Sequence, residues 1–141
     1  MKAMDVRPYT IADRDSCLAV FDSQSPDGWD RAELDRFLTG PPGPYFVLEH
    51  GTAVVGCGGY NIDGSTARLA WGMIHRDFER QGLGRYLLMY RLRQIGNHGA
   101  VQVVSVVAPM PAVGFFEKQG FRQLEGRDNG VELVKRLVVC T

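Results

Sequence analysis

Residues 101–107 read VQVVSVV, a nearly all-apolar run that fits a strand covered on both faces better than one with a solvent face. What precedes this run narrows the choice of fold. STARLAWGMIH (residues 65–75) reads as a strand and RDFERQ as a polar loop. A helix follows over residues 82–95, with Leu83, Leu87, Leu88, Leu92 and Ile95 on its buried side and Gly96, Asn97 and Gly99 ending it. Strand, helix and buried strand in that order make a crossover unit.

Upstream, Met4 and Val6 alternate with Asp5 and Arg7 in a short strand. Thr10 and Asp13 resemble a capping pair, ahead of a helix lined by Ile11, Leu18, Ala19 and Phe21. SQSPDGW (residues 23–29) is turn-rich, and residues 30–38 read as a second helix capped by Asp30 with Glu33. TGPPGP is a loop; YFVLEHGTAVVGCGGYNI then predicts a hairpin turning at His50 and Gly51, and Asp63-Gly64 turns into the strand 65–75. Downstream, AVGFFEKQGF is a short helix stopped by Gly120, followed by strands over residues 121–124 and 131–139. Antiparallel hairpins followed by a crossover predict an α+β fold with a mixed, mostly antiparallel sheet. Without an internal repeat or linker, residues 1–141 read as a single domain.

Composition excludes several classes of function. Sixteen Lys and Arg balance sixteen Asp and Glu, so no overall field draws the chain to nucleic acid or to a membrane surface. Cys17, Cys57 and Cys140 are odd in number and form no CxxC, which fits free thiols in a reducing cytosol and no metal site. The start of the chain lacks the apolar core of a signal peptide, and the most apolar stretch is broken by Pro109 and Pro111. The expectation is a soluble, cytoplasmic protein.

The stretch ERQGLGRYLL (residues 79–88) carries the functional cue. A helix start leaves about four backbone N–H groups without intrahelical partners, and glycine lets a bulky anion approach them. Five arginines stand within residues 76–93 against only Asp77 and Glu79. Gly82 and Gly84 thus serve either a phosphate or a tight turn with close helix–sheet packing. QGLGRYL lacks the lysine of a P-loop and the third glycine of a dinucleotide fingerprint, which argues against an ATP or NAD site.

GMIHRDFERQGLGRYLL, followed in order by FFEKQGF, resembles the GNAT superfamily of acyl-CoA-dependent N-acetyltransferases, and PYFVLEHGTAVVGCGGY looks like that family's second and third strands. The resemblance implies about seven strands and four helices, with the sheet split between the fourth and fifth strands. It implies acetyl-CoA as co-substrate, with the pyrophosphate on Arg80, Gln81, Gly82, Leu83, Gly84 and Arg85. Met73, Ile74 and His75 would pair with the pantetheine arm and offer an N–H to the thioester carbonyl. Phe116 would also line the cofactor site, standing where the family often has an acidic tyrosine; Pro109 replaces an asparagine, and Glu79 a glutamine or arginine.

Tyr60, Ser105 or water are then the substitutes for the missing acid. The strand before the glycine loop carries no carboxylate, so His75, Asp27, Glu33 or a water chain stands as the base. Asp27, Trp29, Arg68 and Trp71 are the expected acceptor-site residues. Arg68 would suit a substrate carboxylate, whereas Asp22, Asp27, Asp30 and Glu33 would suit a cationic amine. The implied partner is a small-molecule amine acceptor. Exposed sheet edges are compatible with a homodimer. A non-catalytic acyl-CoA sensor on the same fold is the alternative, favoured by Phe116 and the absent carboxylate.

Overall fold

The computed structural model of the chain describes residues 4–24, 29–127 and 130–137. Its strands are β1 (Met4–Pro8), β2 (Tyr45–His50), β3 (Ala53–Asp63), β4 (Thr66–Ile74), β5 (Val103–Ala108), β6 (Arg122–Arg127) and β7 (Gly130–Arg136). The helices are α1 (Arg14–Gln24), α2 (Arg31–Thr39), α3 (Leu83–Gly96) and α4 (Val113–Lys118). All seven strands join one sheet in the order β1-β2-β3-β4-β5-β7-β6. Among the described residues only β4 and β5 pair in parallel, the product of the crossover through α3. The α+β class, the mixed sheet and the split between the fourth and fifth strands are as expected.

Local chemistry places most of these elements. Gly51 and Gly64 adopt positive φ (68° and 63°) in the two predicted hairpin turns, where a side chain would be strained. The Asp30 carboxylate accepts the Ala32 N–H at 2.9 Å and starts α2. The beginning of α1 departs from expectation. Residues Ile11–Asp13 form a 3₁₀ turn, whose tighter winding shifts the helical phase. Ile11 is therefore 61% exposed and Ala19 also faces solvent, while Cys17, Leu18, Val20 and Phe21 are buried. β6 also extends past residue 124, because it pairs with β7 as far as Arg127.

Alternation along β2 divides the core into two layers. Tyr45 and Val47 pack with Cys17, Leu34 and Leu38 of α1 and α2. On the other face, Phe46 packs with Leu88 and Ile95 of α3, and Leu48 with Leu83. Cys17 and Cys57 are buried free thiols in the first layer, and Cys140 lies outside the described residues. Among the described residues no helix is long and apolar enough to cross a membrane.

One buried ionic link ties β1 to the entry of α1. Arg7 donates through both terminal nitrogens to the Asp13 carboxylate at 2.8 Å, and its Nε donates to Glu49. Asp13 is buried and also accepts the Thr10 N–H at 2.9 Å. Its side-chain bonds from Arg7 hold its pKa below the usual 3.8 against the opposing effect of burial. A carboxylate with a depressed folded-state pKa contributes stability at neutral pH and loses it as pH falls through that value. Asp13→Asn should cost about 1.5–3 kcal/mol in urea unfolding at neutral pH. The gap to the parent protein should shrink as pH drops below the usual carboxylate value.

Candidate active site

Three residue pairs hold β4 and β5 together: Thr66 with Val103, Ala67 with Val104 and Arg68 with Ser105. Beyond Arg68, β4 stays with β3 while β5 stays with β7. The sheet therefore opens, and two strand edges with free backbone donors and acceptors border the gap. The gap widens into a cleft of about 1750 Å³, bordered by β4, β5, the start of α3 and side chains of α1 and α2.

The path of β4 along the cleft is irregular. Ala70 pairs with Gly59 and Met73 with Cys57, so Trp71 and Gly72 together oppose Gly58. This bulge puts Trp71 at φ 43°, a conformation that costs a bulky residue energy. The Tyr45 hydroxyl donates to the Trp71 carbonyl at 2.8 Å and helps to hold it there. The extra residue also reverses the facing of the strand. Ala67 and Leu69 pack on the α3 side, whereas Trp71 and Met73 pack on the α1–α2 side. Trp71 meets Trp29, Phe21 and Phe37 there, with ring centroids 5.2, 6.2 and 6.4 Å away.

On the α3 side, Gly58 and Gly72 leave a space that Arg91 fills. A Cβ on Gly72 would lie 2.7 Å from Arg91 Nη2. Arg91 is 4% exposed; its Nη1 donates to the Gly59 carbonyl at 3.3 Å, and its Nε has no partner. Burial pulls the guanidinium pKa down to about 10, which still leaves it charged at neutral pH. The sequence reading passed over this residue. It falls on the stripe of Leu87, Leu88 and Ile95, and an arginine on that stripe was the available clue.

At the mouth, Gly82 caps α3 with φ 79° and without a side-chain cap bond. The first N–H groups of the helix have no intrahelical acceptors. Arg76, Arg80 and Arg85 line the cleft beside them, and among the described residues none of the three is in an ion pair. The end of α1 closes the same corner. Gln24 donates to the Ile74 carbonyl and the Glu79 carboxylate, and the Arg76 N–H donates to Ser23 Oγ at 3.1 Å.

The cleft gathers Met73, Ile74, Arg80, Gly82, Gly84, Arg85, Phe116, Trp29, Arg68 and Trp71 from the expected set. Arg68, however, already pairs with Asp63 at 3.1 Å on the exposed side of the strand. Gln81 is exposed and off the lining, and Leu83 packs inward with Leu48 and Val55. Asp27 lies outside the described residues. Of the catalytic candidates, Tyr60 and His75 stand away from the lining, whereas Ser105 and Glu33 are on it. Tyr60 is 3% exposed on the α3 side, packed near Phe46 and His98, and burial raises its pKa. His75 is a cap: its Nδ1 accepts the Asp77 N–H at 3.1 Å and its ring packs on Phe78. Cleft carboxylates come instead from Glu33, Glu79 and Glu132, the last carried in by β7. Among the described residues no cluster of His, Cys, Asp and Glu could hold a metal ion.

A family model described as Acetyltransferase (GNAT) family matches residues 14–121. No curated protein sequence matches the chain. Among solved structures, an acetyltransferase from Thermus thermophilus is 25% identical with a TM-score of 0.77, covering 96% of this chain and 97% of that one. The PaiA N-acetyltransferase from Thermoplasma acidophilum, solved in complex with coenzyme A, superposes with a TM-score of 0.77 at 11% identity, covering 96% and 99%. The ribosomal-protein-S18-alanine N-acetyltransferase from Escherichia coli gives a TM-score of 0.77 at 15% identity, covering 99% and 97%.

The conformation of Gly82 can be tested separately from its contacts. Nothing lies within 4 Å of a Cβ at this position, so Gly82→Ala meets backbone strain alone. A left-handed alanine should cost about 1–2 kcal/mol in urea unfolding.

Proposed function

The chain belongs to the acetyltransferase (GNAT) family, and on that premise we propose that it transfers the acetyl group of acetyl-CoA directly to a primary amine of a small-molecule or peptide-like acceptor. One observation carries this reading. α3 starts at the left-handed Gly82, on the cleft lining together with Arg76, Arg80 and Arg85, and its first N–H groups lack intrahelical acceptors. Such an end suits a pyrophosphate, through backbone donors and charge-assisted arginine contacts. Gly82 and Gly84 leave room for it: a Cβ on Gly84 would make only ordinary contacts, at 3.7 Å from Phe115 and 3.8 Å from Ile74. The backbone edge of β4 at Met73 and Ile74 would hold the pantetheine arm. The bound thioester supplies an activated acetyl carbon.

The acceptor would enter from the α1–α2 side, where Trp29 and Trp71 meet edge to face. Glu33 lines the cleft with them and is the carboxylate assigned to take the amine's proton in this reading. His75 is set aside, since its Nδ1 is engaged in capping. Phe116 offers no proton, but a thiol with a pKa of roughly 8.5 leaves as thiolate at moderate cost.

A second reading, a non-catalytic acyl-CoA sensor, draws on Phe116 and on the positions of Tyr60 and His75 away from the cleft. Calorimetry with acetyl-CoA, together with CoA release over a panel of amines, amino acids and peptides, separates the two. Binding with turnover of one acceptor supports the transferase, and binding without turnover on any acceptor supports the sensor. Gly84→Asp should weaken acetyl-CoA binding about tenfold or more, because it sets a negative charge against the pyrophosphate. The same change should leave the fold intact, since an acidic residue in a first helical turn is favourable. Once an acceptor is found, Glu33→Gln should lower kcat/KM by about 10²-fold or more, and His75→Gln should leave it nearly unchanged.

A further inference from the structure

Arg91 is the strangest residue in the cleft. It carries a full charge through the interior from α3 and ends against the backbone of Gly72, inside the bulge of β4. Among the described residues it has no ion pair. Its one hydrogen bond is a long one, 3.3 Å, to the neutral Gly59 carbonyl that the bulge leaves available. The titratable groups that act on it are Tyr45 and Cys57, from β2 and β3, and burial keeps Tyr45 protonated.

An arginine buried in this way is costly. Leucine or methionine would fill the same space without the cost of desolvating a charge. Two glycines, Gly58 and Gly72, make room for the guanidinium, and both would crowd it if they carried a Cβ. Arg91 also lines the cleft, and its guanidinium nitrogens lie against the backbone of Gly72 on β4. Strain and uncompensated charge held together by the surrounding structure point to a functional site.

We propose that Arg91 is a catalytic residue that polarises the thioester carbonyl and stabilises the negative charge that develops on its oxygen. The inference rests on the acetyl-CoA reading, in which the pyrophosphate lies at Gly82 and the arm runs back along Ile74 and Met73. The thioester then arrives beside Gly72, whose backbone the guanidinium abuts. The amine lone pair forms the C–N bond, and the carbonyl π pair moves onto oxygen in front of Arg91. When that pair returns, the C–S bond breaks and sulfur leaves with its electrons as the thiolate. Nitrogen gives up its extra proton to Glu33. A fixed cation in a dry site needs no reorganisation as the charge appears. It acts on the carbonyl oxygen, whereas Phe116 leaves the departing sulfur without an acid.

The decisive measurement is infrared difference spectroscopy of bound acetyl-CoA labelled at the thioester carbonyl carbon. The wild-type protein should lower the carbonyl stretching frequency relative to free acetyl-CoA. Arg91→Met should return it most of the way and Arg91→Lys only part of the way, with acetyl-CoA affinity little changed. With a working acceptor, kcat for Arg91→Met should fall about 10²–10³-fold. An unshifted carbonyl in the wild-type complex would overturn the assignment, and so would a shift that persists in folded Arg91→Met. If the methionine variant does not fold, the wild-type spectrum and the lysine variant decide. Failure of the wild-type protein to bind acetyl-CoA at all would sink the transferase reading together with this one.

Discussion

Everything functional in this molecule depends on β4 and β5 staying together for three residue pairs and then parting. Had the two strands zipped along their full length, the sheet would have been continuous, with no cleft and no free backbone. Parting costs a run of lost ladder bonds, yet each strand keeps its other neighbour, β3 for β4 and β7 for β5. Helices on both faces then cover the opening, with α1 and α2 on one side and α3 and α4 on the other. The gap thus becomes a roofed slot and not a solvent-exposed edge open to aggregation.

Within the slot, the bulge at Trp71 and Gly72 assigns work to each face. One inserted residue sends Trp71 toward α1 and α2 and frees the opposite face for Arg91. The aromatic side and the cationic side therefore meet at one point on β4. The rings contact one another edge to face, so they form a packed wall and not an open cage. The cation stands behind the strand, close to the backbone that would hold a thioester. The aromatic wall and the cation thus both depend on the same irregularity of β4.

Charge is distributed unevenly although the whole chain is neutral. Arg76, Arg80 and Arg85 gather at the α3 start, where the helix dipole has the same sign, and Glu33, Glu79 and Glu132 reach the cleft from three different elements. Off the cleft lining, Arg7 and Asp13 pair opposite charges and lock β1 to the entry of α1. The half-buried Arg7 and the buried Arg91 differ in this respect. Arg7 is matched by Asp13 and Glu49, and Arg91 is matched by no carboxylate among the described residues.

The order of elements, both hairpin turns, the Asp30 cap and the glycine loop were legible in the sequence, because each rests on local chemistry: period-two alternation, helical spacing and turn glycines; the split of the sheet came only with the family resemblance. Family resemblance added the pyrophosphate reading to a glycine pair that was ambiguous by itself. Which side chains reach the cleft was another matter. Tyr60 lies on the opposite side of the sheet from the Trp29–Trp71 wall, His75 spends its ring nitrogen on a turn, and Arg68 pairs with Asp63. Gln24, Glu132 and Arg91 arrive from α1, β7 and α3, elements far apart in sequence. The bulge that re-aims Trp71 depends on how β3 pairs with β4, and pairing is a property of two strands. The sequence by itself thus determined the order of elements and the glycine loop at the start of α3, where neighbouring residues dictate conformation. Only the tertiary structure decided the chemistry of the cleft, because long-range packing fixes the facing of each strand and the partner of each charge.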